Sequence, residues 1–147
     1  MGDKISDFEI RRILTEYRVI AVVGLSRNPS KDSYRVAEYL KKKGFKIIPI
    51  NPSISKILDE DCYGSLLEVP IEVQKEIDII NIFRPSDQVP PIVEQTIQIR
   101  KSFGKPHVIW MQLGIINEAA AKIAEENGLI VVMDSCIMRE HKRFFGS

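Results

Sequence analysis

Val19-Ile20-Ala21-Val22-Val23-Gly24-Leu25-Ser26-Arg27-Asn28-Pro29 is a β-branched apolar run that breaks at a glycine and leads into a helix-like segment. A short continuous apolar run of this kind suits a parallel strand buried on both faces. The turn that follows is where α/β proteins hold phosphate. Glycine lets backbone approach an anion without a Cβ, and the N–H groups of the next helix start face it with the positive end of the dipole behind them. The loop has one Gly where a dinucleotide fingerprint has three.

Further runs of the same character recur at Ile47 to Ile50, Ile77 to Phe83, Val108 to Leu113 and Leu129 to Met133. Helical segments separate them. Ser6-Asp7-Phe8-Glu9 is a capping box that opens a helix to about Tyr17, with Phe8, Ile13 and Leu14 facing the sheet. Val36, Ala37 and Leu40 space a second helix, stopped by Lys41-Lys42-Lys43-Gly44. Ser86 to Ser102 is a third, with Pro90 and Pro91 in its first turn and Gly104 beyond its end. Asn117 caps a fourth, with Ala120, Ile123 and Ala124 inward and Gly128 as its stop. A last helix follows Asp134.

This alternation predicts an α/β fold: a Rossmann-like, doubly wound parallel sheet of five main strands with helices on both faces. Asp61-Cys62-Tyr63 is a candidate short edge strand, giving the order 3-2-1-4-5-6. Pro49 lies inside a strand pattern, which is tolerable where the ladder ends on one side. The 147 residues are read as one domain, with residues 1–18 as a helical extension, and 44% hydrophobic residues suffice for a core.

Lys and Arg number 21 against 20 Asp and Glu, so no global field recruits nucleic acid or an anionic membrane. No apolar run approaches the ~18 residues needed to span a bilayer, and the amino terminus lacks an apolar targeting core. A cytoplasmic protein is expected. Cys62 and Cys136 are read as free thiols, with Cys136 a buried structural residue. Cys136 and His141 lack a third ligand for a metal, and His107 is read as a packing or surface residue. No catalytic residue and no metal site is predicted.

In a doubly wound sheet, ligands sit at the carboxyl ends of the strands where the winding reverses. That crevice lies between the strands ending at Val23 and Phe83, flanked by Asn51-Pro52 and by Trp110-Met111-Gln112-Leu113-Gly114. An NAD site wants three glycines and an acid closing the second strand; this chain offers Ser26 and Asn51-Pro52 instead. Arg27, Lys31, Arg84 and Lys56 are the available cations. A 3′-phosphorylated ADP, as in coenzyme A, fits this loop set better than NAD. Phe83 at the rim is read as facing the ligand, and Trp110 as core.

The loop at Gly24 to Pro29, Ser33-Tyr34, Pro49-Ile50-Asn51-Pro52, Tyr63-Gly64-Ser65-Leu66, Phe83-Arg84-Pro85, Trp110-Met111-Gln112-Leu113-Gly114 and Asp134-Ser135-Cys136 together resemble the CoA-binding proteins similar to the CoA-binding domain of succinyl-CoA synthetase. The resemblance runs from Val19 to about His141. It implies that CoA (or acyl-CoA) is the ligand, with Gly24, Ser26, Arg27 and Asn28 on phosphates and Ser33 and Tyr34 at the following helix start. It further implies Asn51 and Pro52 on the adenosine side, Phe83 and Arg84 closing over the nucleotide, and Gln112 and Gly114 along the pantetheine path. CoA ligases of the similar family work through a phosphorylated histidine and nucleotide-grasp machinery in further domains, for which this chain has neither length nor motif. A non-catalytic carrier, sensor or regulatory module is therefore expected. The alternatives are an NAD(P)-dependent oxidoreductase, for which no proton donor stands out, and a thiol redox sensor forming a mixed disulfide between Cys136 or Cys62 and CoA.

Overall fold

The computed structural model describes residues 5–146. Helix α1 (Asp7–Glu16) leads into strand β1 (Val19–Val23), α2 (Asp32–Lys42) and β2 (Lys46–Ile50). A hairpin of β3 (Lys56–Ile57) and β4 (Glu60–Asp61) follows, then the short α3 (Ile71–Gln74) and β5 (Ile79–Ile82). The chain closes with α4 (Val89–Phe103), β6 (Val108–Met111), α5 (Glu118–Glu126), β7 (Ile130–Val132) and α6 (Ile137–Phe145). All five main strands are parallel, in the order β2-β1-β5-β6-β7. The winding reverses between β1 and β5, as the apolar runs predict.

Period-two alternation divides the strand residues between two cores. Ala21, Val23, Ile48, Ile80, Ile82, Ile109 and Met111 face α4 and α5, which bury Val89, Ile92, Val93, Ala120 and Ala124. Ile20, Val22, Ile47, Ile79, Val108 and Trp110 face α1, α2 and α6 through Ile13, Leu14, Val36, Leu40 and Ile137. Helices thus cover both faces, and the strands carry almost no polar side chain. Lys46 opens β2 at the surface, and Asn81 in β5 is fully buried.

Local signals account for most element ends. The Ser6 hydroxyl accepts from the Glu9 N–H at 3.1 Å, and the Asn117 carboxamide accepts from the Ala120 N–H at 3.0 Å. Gly104 ends α4 in the left-handed conformation, with its N–H on the Arg100 carbonyl. Two inward assignments need correction. Phe8 is 78% and Ile123 48% exposed. At about 100° per residue, Phe8 lies across α1 from the Ile10, Ile13 and Leu14 stripe, and Ile123 falls beside the narrow Ala120, Ala121, Ala124 face rather than on it.

The edge strand is also shorter than predicted. Leu58 and Asp59 both have positive φ and fold residues 56–61 into an antiparallel two-residue hairpin, so Asp61 pairs with Lys56. Tyr63 alone extends the main sheet, bridging Ile50 in parallel. Its N–H donates to the Pro49 carbonyl at 3.1 Å, and its carbonyl accepts from the Asn51 N–H at 2.8 Å. The nitrogen of Pro49 lies on this same outer side, where it offers no proton to lengthen the ladder. That is why a proline fits here and why the third strand shrinks to one residue.

No helix among the described residues is long and apolar enough to cross a membrane.

Candidate functional site at the topological switch point

At the carboxyl end of β1 the chain turns at Gly24, whose φ is +91° and whose N–H donates to the Ile50 carbonyl at 2.9 Å. A Cβ built here would lie 2.9 Å from Cδ of Arg84 and 3.3 Å from the Phe83 carbonyl carbon. Glycine is required because the loop after β1 and the loop after β5 touch at this point. Gly24, Phe83 and Arg84 are brought together as the sequence suggests. The space that a Cβ on Gly24 would take is filled by the Arg84 stem, so the glycine also serves as the junction of the two loops.

The next residues form a self-bracing turn. The Ser26 N–H donates to the Ser33 hydroxyl oxygen at 2.9 Å, and the Ser26 hydroxyl oxygen accepts from the Asn28 N–H at 3.0 Å. The Asn28 carboxamide oxygen in turn accepts from the Ser30 N–H at 3.0 Å. Leu25 points inward and is fully buried, while Arg27, Asn28 and Lys31 are exposed. The turn therefore fixes the backbone on its inner side and presents its cations outward.

It delivers the chain to α2 in an unusual state. The position preceding this 11-residue helix is Lys31, which makes no side-chain capping bond. Its first free N–H groups, on Asp32, Ser33 and Tyr34, have no partner within the helix. Lys31 stands at the positive end of the helix dipole, where the one acid of the first turn, Asp32, is engaged by Arg35. Arg27 and Lys31 form no ion pair among the described residues, whereas Arg35 pairs with Asp32 and donates to the Ser30 carbonyl at 2.7 Å.

The flanking loops divide into residues that face the crevice and residues that hold it. Asn51, half-buried, donates from Nδ2 to the Leu25 carbonyl at 3.0 Å and accepts at Oδ1 from the Ser53 N–H at 2.9 Å. It ties the loop after β2 to the loop after β1, a role its sequence position did not disclose. Pro52 is exposed beside it, and Tyr34 packs half-buried against the α2 side of the core. Arg84 is exposed, with its Nε donating to Gln88 Oε1 at 3.0 Å. Gly114, at φ +83°, is open to solvent and donates its N–H to Asp134 Oδ1 at 2.7 Å. Lys56 is diverted: its ammonium pairs with Asp61 at 2.9 Å in the hairpin.

Between α2 and α6 the crevice deepens into a cleft of about 300 Å³. Of the residues singled out in the sequence, Phe83 and Gln112 line it. Asp32, Arg35 and Val36 form the α2 wall, Leu113 and Ile115 the wall after β6, and Cys136, Met138 and Arg139 the α6 wall. Gln112 is 4% exposed, and its Oε1 accepts from Asn81 Nδ2 and from the Ile137 N–H, both at 3.0 Å. Its carboxamide joins β5, β6 and the start of α6 across the floor of the cleft. Met138 and Arg139 were not among the site candidates read from the sequence, whereas Cys136 was, as the thiol of a mixed disulfide. Cys136 is half-buried rather than buried, and it lines the cleft.

A larger cavity, about 810 Å³, opens along the free edge of β7 and contains none of the predicted residues. Asp7, Glu118, Glu125 and Glu140 line it against Lys122 and Arg143. Arg143 is already paired with Asp7 at 2.9 Å and Glu140 at 2.7 Å, which holds the Asp7 carboxyl below its ordinary range. The net acidic lining opposes a phosphorylated ligand there.

The two histidines lie outside the switch-point cleft. His141 is buried, with Nδ1 2.7 Å from the Tyr39 hydroxyl and with Phe45 and Phe145 around it. Burial first, then the cations Lys43 and Arg18, lower its pKa. His107 stacks on Tyr17 at 4.7 Å, at the amino end of β6. Cys62 donates to the Asn51 carbonyl at 3.6 Å, and burial raises its pKa.

Comparison with known proteins places the whole fold among relatives of similar sequence. An uncharacterized protein of Bacillus subtilis, YneT, is 38% identical over 136 residues, covering 92% of this chain and 94% of its own. A hypothetical protein from Pyrococcus horikoshii superposes with a TM-score of 0.87 at 36% identity, over 99% of this chain and 100% of that one. The ADP-forming acetate–CoA ligase II of Archaeoglobus fulgidus is 37% identical over 81 residues, which is 54% of this chain but 11% of the ligase. The family described as CoA binding domain matches residues 18–142, and with nearly the whole described fold inside that match the chain belongs to this family.

Proposed function

We propose that the chain binds coenzyme A or an acyl-CoA at the switch point, as a non-catalytic carrier, sensor or regulatory module. The observation that carries this reading is the start of α2: an uncapped helix amino terminus with Lys31 at the capping position, at the point where the winding reverses. The pyrophosphate would sit over the N–H groups of Asp32 to Tyr34 beside Ser26, with Arg27 and Lys31 supplying charge. The pantetheine arm would run into the cleft past Phe83, Leu113 and Ile115, whose apolar surfaces suit its methylene and amide chain. Arg139 and Arg27 stand as further candidates for the 3′-phosphate.

Two features favour binding over turnover. Neither histidine lines the cleft, and the carboxylate that does, Asp32, is paired to Arg35. The segment shared with the Archaeoglobus ligase is a small fraction of that enzyme.

Isothermal titration of the purified chain with CoA, dephospho-CoA and NADPH tests the reading. CoA is expected to bind with a Kd of about 10 µM or tighter, and NADPH at least about tenfold more weakly. Loss of the 3′-phosphate in dephospho-CoA is expected to weaken binding by a similar factor. A preference for NADPH would favour the oxidoreductase instead.

A further inference from the structure

Cys136 occupies the cleft wall directly before α6, and its thiol makes no capping hydrogen bond to that helix. An independent feature of the same cleft points to an occupant beside it. Gln112 is more than nine-tenths buried, yet only its Oε1 is engaged; its Nε2 donors have no partner among the described residues, and the side chain lines the cleft. The Nε2 group is not sealed from the cleft but opens onto it, so its donors are free for an acceptor on a ligand. Arg139, one turn into α6 on the same wall, forms no ion pair among the described residues.

We infer that Cys136 is a site of covalent capture, at which the thiol of CoA becomes disulfide-bonded to the protein. The inference rests on the CoA reading above and specifies what lies at the far end of the ligand. The pantetheine arm placed past Phe83 and Leu113 brings its sulfur to the Cys136 wall, and the Gln112 amide donates to its terminal carbonyl. The co-reactant is the disulfide of CoA. Cys136 loses its proton to solvent and its thiolate attacks one sulfur of that disulfide. The S–S bond breaks, a bond forms between Cys136 Sγ and the attacked sulfur, and the second CoA leaves as a thiolate that takes a proton from solvent. One disulfide is exchanged for another, so no outside oxidant is consumed.

Cys62 sets the contrast. It lies outside the cleft lining, and its thiol is occupied with the Asn51 carbonyl.

The test is intact-mass analysis of the full chain during incubation with CoA disulfide and, in parallel, with glutathione disulfide. One CoA adduct is expected, reversed by dithiothreitol, lost in Cys136→Ala and kept in Cys62→Ser. Binding beforehand raises the local disulfide concentration, so CoA disulfide is expected to react at least about tenfold faster than glutathione disulfide. Peptide mapping of the wild-type adduct identifies the sulfur even if a variant folds poorly. An adduct on Cys62, equal rates with both disulfides, or no adduct would overturn the inference. Calorimetry with reduced CoA separates the two failures: binding without adduct removes only Cys136 capture, and no binding removes both readings.

Discussion

Replacing Ser26 with Asp is expected to weaken CoA binding by about 100-fold or more while leaving the fold intact. The Ser26 side chain accepts from the Asn28 N–H at 3.0 Å, and an aspartate can accept from the same N–H, so the turn keeps its internal bond. What changes is charge. A carboxylate then stands beside the uncapped start of α2, where the pyrophosphate is placed. Two like charges about 4 Å apart repel by roughly 1 kcal/mol in water and about 4 kcal/mol near a protein surface. An intermediate value of about 3 kcal/mol corresponds to about a 100-fold loss. The measurement is a calorimetric titration of Ser26→Asp and of Ser26→Ala, with melting curves to check folding. Equal affinity of Asp and Ala variants would move the phosphates off this loop.

The largest effect on stability is expected at Trp110. It is fully buried in β6 between β5 and β7, and its Nε1 donates to the Ser135 carbonyl at 2.8 Å. Trp110→Ala leaves a large cavity on the α2 and α6 side of the sheet and an unpaired carbonyl at Ser135. Such a truncation costs about 3–5 kcal/mol. Chemical denaturation should show a lower midpoint at unchanged m-value, and the melting temperature should fall by roughly 10 °C. A loss below about 1 kcal/mol would mean that the core closes around the gap, contrary to the packing described. The same bond tethers Ser135, next to Cys136, so the variant also loosens the α6 wall of the cleft.

The architecture was legible because its signals are local. Five β-branched runs, the Ser6 and Asn117 caps and the left-handed Gly44, Gly104 and Gly128 mark the strands and the helix ends without any tertiary knowledge. Phe8 and Ile123 were misread because apolar character alone does not fix azimuth on a helix; the neighbours that complete the stripe do. The edge strand was overestimated because the positive φ of Leu58 and Asp59, residues with no obligate turn signature as a pair, turned Glu60 and Asp61 back onto Lys56.

The site was legible where it is built from strand ends. Phe83 and Gln112 follow β5 and β6 directly, so topology alone places them at the crevice. Arg35, Met138 and Arg139 lie inside helices, and whether they reach the cleft depends on how α2 and α6 cross the sheet. No spacing in the sequence encodes that crossing. Asn51 shows the converse: its position suggested a ligand contact but did not disclose that its side chain braces Leu25. Polar residues at such loops serve the ligand or the loop, and only partner atoms distinguish the two.

The claim on which the account turns is that CoA sits over the start of α2 at the switch point. Amide chemical-shift mapping of the labelled chain during a CoA titration tests it most directly. The largest shifts are predicted at Arg27 and at Asp32 to Tyr34, with a second group at Leu113 to Ile115 and Cys136 to Arg139. Shifts confined to the groove along β7, at Glu118 to Glu125 and Val131 to Met133, would contradict it.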